Sequence, residues 1–73
     1  MASAGDDILA ITWHPEGLGG RNGVARVSHL DGRDDRRQMD RRQAEALATA
    51  QFGPEKSERE LPGRGVECTR GPN

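Results

Sequence analysis

Asp40-Arg41-Arg42-Gln43-Ala44-Glu45-Ala46-Leu47-Ala48-Thr49-Ala50-Gln51-Phe52, closed by Gly53-Pro54, decides the fold, because its local chemistry writes both ends of a helix. Asp40 with Gln43 three residues on is a capping box: the carboxylate accepts an orphan backbone N–H and the amide reaches back. Met39 and Ala44 stand at the apolar staple positions around the cap. Gly53 supplies a left-handed stop and Pro54 cannot continue the helix. The same four letters occur earlier, at Asp35-Arg36-Arg37-Gln38, and offer a second start. The later one is preferred, because only it has the staple. At 3.6 residues per turn, Met39, Gln43, Ala46, Leu47 and Ala50 share one stripe. Its side chains are mostly small, which suits a helix lying close on a sheet. Phe52 falls off the stripe and is expected to pack beyond the helix end.

Upstream, Ile8-Leu9-Ala10-Ile11-Thr12-Trp13 is the strongest strand, rich in β-branched and aromatic residues. Simple alternation puts Leu9, Ile11 and Trp13 on the core face and Ile8, Ala10 and Thr12 on the other. His14-Pro15-Glu16-Gly17 reads as a type I turn, and Gly19 to Gly23 continues the loop. Val24 to Leu30 is a second strand, with Ala25 and Val27 inward and Arg26 and Ser28 outward. Asp31-Gly32 suits a two-residue type I′ hairpin turn. Asp34 to Gln38 then reads as a short polar edge strand.

Downstream, Pro54 to Arg64 reads as a charged linker with Leu61 as its one apolar anchor. Gly65 to Thr69 alternates briefly and offers a final edge strand. The expected architecture is α+β: a small three- to four-stranded antiparallel sheet covered by one amphipathic helix, with mobile N- and C-terminal segments. Residues 1–7 form a disordered N-terminus, 8–53 the hairpin-and-helix core, and 54–73 the linker and tail, with the edge strand at 65–69.

The 73 residues suffice for one domain. Large apolar side chains are few, and so small a core seldom supplies more than about 3–5 kcal/mol of net stability. Eleven basic against twelve acidic residues leave a net charge of -1, which gives no global attraction to phosphate. Every basic residue but Lys56 is Arg, the side chain better suited to bidentate recognition of carboxylate or phosphate. The single cysteine excludes an internal disulfide. No window approaches the ~18 apolar residues of a membrane span. Met1 to Asp7 lacks the pattern of a signal peptide, so a cytoplasmic protein is expected.

No reacting group stands out. His14 and His29 fall at opposite ends of the first hairpin, too far apart for one metal. Cys68 reads as a small half-buried strand residue. Gly17 to Gly23 departs from a dinucleotide fingerprint, with Asn22 at the third glycine and a strand rather than a helix following. No catalytic residue, cofactor or metal ligand is therefore assigned. The expected function is that of a non-enzymatic accessory or regulatory protein, binding a protein partner through a sheet edge, the helix face or the C-terminal tail. Arg36, Arg37, Arg41, Arg42, Leu61 and Val66 are the candidate contacts. The alternative is a nucleic-acid-binding module using the four arginines near the helix start. It is disfavoured by the interspersed Asp34, Asp35 and Asp40 and by the scarcity of aromatics for stacking. No membrane association is expected, and a homodimer fits the small core.

Overall fold

In the computed structural model, which describes residues 8–17 and 21–71, the elements are β1 (Ile8–Pro15), β2 (Asn22–His29), β3 (Asp34–Asp40), α1 (Arg41–Phe52), β4 (Ser57–Leu61), a 3₁₀ turn (Pro62–Arg64) and β5 (Gly65–Thr69). The expectations for Met1–Asp7, Leu18–Gly20 and Pro72–Asn73 lie outside the described residues. The strands form one antiparallel sheet in the order β3-β2-β1-β5-β4. The α+β class holds, but five strands replace the expected three to four.

The difference lies in the supposed linker. Ser57–Leu61 is an edge strand, and Gly65–Thr69 is not an edge but lies between β1 and β4. Residues 54–71 are thus part of the domain rather than a tail. Glu58, Arg59 and Glu60 are all exposed, so β4 carries no apolar alternation to reveal it. Charged side chains on an edge strand also discourage pairing with another chain. The informative signal was Pro62-Gly63. Gly63 (φ 78, ψ 20) and Arg64 (φ 73) both take positive φ, turning the chain so that Leu61 pairs with Gly65.

Three local readings are corrected in the first sheet half. A bulge between Ile8 and Ala10 resets the alternation of β1, so Ile8 is buried (2%) and Leu9 is exposed (50%). Ile11 and Trp13 do face the core, as do Ala25 and Val27. His14-Pro15-Glu16-Gly17 is not a turn: β1 continues through Pro15, which pairs with Gly23, and the Glu16 N–H donates to the Asn22 carbonyl at 2.8 Å. Alternating N–H directions then aim the Pro15 nitrogen away from β2, toward the β5 side. There the ladder has already ended at Trp13↔Val66, so no donor is missed. The β2–β3 hairpin closes through Leu30-Asp31-Gly32 rather than two residues. The Gly32 N–H donates to the His29 carbonyl at 3.0 Å, and Gly32 alone takes positive φ, at 95. That is a type I turn with a glycine bulge.

The cap is as expected. Asp40 accepts from the Gln43 N–H at 2.7 Å, and the Gln43 side chain accepts from the Asp40 N–H at 3.1 Å. Gly53 ends the helix at positive φ (85) but with ψ 174, extended rather than the expected left-handed helical stop, its N–H donating to the Thr49 carbonyl at 2.8 Å. The buried stripe is rotated from the expected one. Ala44 and Ala48 are buried, whereas Gln43, Ala46 and Ala50 are exposed. Met39 belongs to β3, so it cannot set the phase of the helix. Phe52 is the last helical residue and packs against the core with Leu47 and Met39.

Beneath the alanines lies Trp13, the largest fully buried side chain. Its indole N–H donates to the Met39 carbonyl at 2.8 Å, reaching from β1 across β2 to β3. Gly23 makes that reach possible, since a Cβ there would lie 2.6 Å from the Trp13 ring and press on the His14 carbonyl. We expect Gly23→Ala to destabilise the domain by about 1–3 kcal/mol through overpacking, read as a lowered urea midpoint. In the same assay, Asp40→Ala is expected to cost about 0.5–2 kcal/mol by stranding a helix N–H.

Candidate functional site

Helix α1 covers one face of the sheet, with Ala44 and Ala48 against Ile11, Trp13, Val27, Val66 and Cys68. The other face has no covering element among the described residues. Because side chains alternate across a strand, this face collects the residues that the core rejects. The register lines up Arg36, Arg26, Thr12, Glu67 and Arg59 in one row across all five strands. Toward β3 the face dips into a groove of about 590 Å³, lined by Thr12, His14, Val24, Arg26, Ser28, Asp34 and Arg36. The His14 ring lies over Gly65, where a Cβ would come within 2.8 Å of its Nδ1.

Charge on this face is only partly neutralised. Arg59 donates to Glu67 at 2.8 Å and Arg26 to Asp34 at 3.4 Å. Arg36 makes no ion pair among the described residues, although it stands directly opposite Arg26 on the ladder. Like charges at directly opposed positions repel.

The covered face holds the buried polar group of the core, His29. Its Nε2 lies 2.8 Å from the Asp35 carboxylate; a carboxylate only accepts, so Nε2 carries the proton. Nδ1 is enclosed, with no hydrogen-bond partner among the described residues. A His–carboxylate pair is part of a nucleophilic triad, yet here the free nitrogen faces the interior, closed to a substrate. Cys68 is buried on β5, and burial pushes its thiol up, which disfavours the reactive thiolate. His14 and His29 pair with Val24 and Ile8, at opposite ends of the β1–β2 ladder. Among the described residues no three His, Cys, Asp or Glu side chains gather as metal ligands.

The arginines singled out in the sequence do not form one patch. Arg36 points to the open face. Arg37, one residue on, points to the helix side and lies 3.6 Å from Asp35. Arg41 pairs with Glu45 at 3.3 Å along the helix, and Arg42 lies beside it in the first turn. Arg41 and Arg42 line a separate depression of about 420 Å³ with Arg21, Asn22, Asp40 and Glu45. Leu61 is half-buried at the end of β4, and Val66 is enclosed in the core, out of a partner's reach. Sequence reasoning missed Thr12, His14, Arg26 and Ser28 as neighbours of Arg36. Only the strand register brings them together, and the period-2 pattern of β2 was the available signal. No family model, curated protein or solved structure matches the chain. Among the described residues no helix is long and apolar enough to cross a membrane.

The Asp35 carboxyl is held below its ordinary value of 3.8, first by the hydrogen bond from His29 and further by the charges of Arg37 and Arg33. A carboxyl depressed in the folded state contributes stability that is complete above its unfolded value, about 3.9, and is lost as pH falls through the folded value. We therefore expect the domain to lose stability on acidification below about pH 4, and Asp35→Asn to lose less over that range. Urea midpoints taken between about pH 5 and pH 2 check the difference in slope.

Proposed function

We propose that this is a small non-enzymatic accessory or regulatory protein of the cytoplasm, and that it binds a protein partner through the uncovered face of its sheet. The observation that carries the reading is the grooved polar face left open by the one helix. The other routes expected from the sequence have less support. The edge strands β3 and β4 are lined with charged residues, a pattern that opposes strand addition. The supposed tail is built into the sheet as β4 and β5. The outer face of α1 offers the Arg41–Glu45 pair and small side chains such as Ala46 and Ala50. Enclosure of His29 Nδ1 and burial of Cys68 support a binding role over a catalytic one. The nucleic-acid alternative loses ground because its four arginines lie on different surfaces. The two aromatics, Trp13 and Phe52, both pack on the covered side, leaving no stacking platform on the open face.

The test is affinity capture from native lysate with quantitative mass spectrometry, comparing wild type, Val24→Glu and Ala50→Glu, each checked for intact fold by circular dichroism. Val24 lies at the groove and Ala50 on the exposed side of α1. We expect the proteins enriched by wild type to persist with Ala50→Glu and to fall roughly ten-fold with Val24→Glu, because a charge in a contact centre removes well-packed burial. Equal recovery with Val24→Glu, or selective loss with Ala50→Glu, refutes the open face as the contact.

A further inference from the structure

We propose that the groove on the uncovered face takes the carboxylates of an acidic peptide segment, with Arg36 as the principal anchor and Arg26 beside it. The inference rests on the partner-binding reading and specifies its chemistry. Arg26 and Arg36 are directly opposed across β2 and β3, which places their Cβ atoms about 5 Å apart and makes the pair repulsive without an anion. Asp34 engages Arg26 at 3.4 Å, and both side chains are about half exposed. Arg36 is left without a carboxylate among the described residues. Around it, Thr12 and Ser28, each with a hydroxyl, line the same groove, and His14 borders it with its ring over Gly65. None of these side chains makes a hydrogen bond among the described residues. One face thus presents an uncompensated guanidinium together with unengaged donors.

A carboxylate matches this set. Its two oxygens accept the parallel N–H pair of a guanidinium and still leave lone pairs for a hydroxyl. A nucleic-acid strand matches less well. The face has no Trp, Tyr or Phe to stack a base, and Asp34 and Glu67 interrupt any continuous track for phosphates. A peptide with spaced carboxylates can place one on Arg36 and keep clear of Asp34. It can also lie across strands β1, β2 and β3, which the groove spans.

The test is fluorescence anisotropy at low salt with labelled hexaglutamate as the probe and labelled oligothymidylate as the comparison, using the full chain. We expect saturable binding of hexaglutamate that Arg36→Gln weakens about ten-fold, the scale of one charge-assisted contact. Arg42→Gln, on the helix, should stay within about two-fold of wild type, as solvated surface charges do. Amide chemical shifts should move at Thr12, Ser28 and Arg36 and not at Ala46 or Thr49. No saturable hexaglutamate binding, an equal loss with Arg42→Gln, or tighter Arg36-dependent binding of oligothymidylate each overturns the proposal. If hexaglutamate fails while capture still depends on Val24, the carboxylate chemistry is wrong and the partner-binding face stands. If both fail, the face itself is wrong.

Discussion

The indole of Trp13, laid across Gly23 to the Met39 carbonyl, is the contact on which the rest of the fold depends. It ties three strands together at the point where β3 hands the chain to α1 through the Asp40 cap. Ala44 and Ala48 are small, so the helix settles close above the ring. A buried Trp needs a partner for its N–H, and a backbone carbonyl gives one without adding another polar side chain to the core. With so few large apolar residues, one well-placed ring stands in for the aliphatic clusters of larger domains. A glycine at position 23 is the condition for it.

Both edges of the sheet are strongly charged, and the reason is shared. β3 reads DDRRQMD and β4 reads SEREL, and neither is drawn fully under the single helix. Edge strands gain little from apolar residues and risk unwanted pairing when they carry them. The charged strands therefore oppose strand addition at the edges, and the face opposite the helix has no covering element among the described residues. The potentially reactive groups are treated in the opposite way. His29 is enclosed with its Nε2 held by Asp35, and Cys68 lies on the helix side of β5. The open face carries arginines, two carboxylates, hydroxyls and the exposed His14 ring.

Part of this was legible in the residues themselves. Asp40, Gln43 and Gly53 determined where the helix begins and ends, because capping is satisfied within a few neighbouring residues. The inward facing of Ile11, Trp13, Ala25 and Val27 also followed from alternation. Tertiary structure decided what local pattern cannot carry. The bulge at Leu9 inverts the start of β1, since a single extra residue shifts every face before it. The strand Ser57–Leu61 exists because β5 offers it a partner, not because its own residues seek burial. The helix turned Ala44 and Ala48 inward because Trp13 lay beneath, a phase that no stripe counted from Met39 reveals. The groove beside Arg36 follows the same logic. Its lining residues are far apart in sequence, and long-range pairing between strands, a property of the assembled sheet, is what brings Thr12, Arg26 and Arg36 into one row.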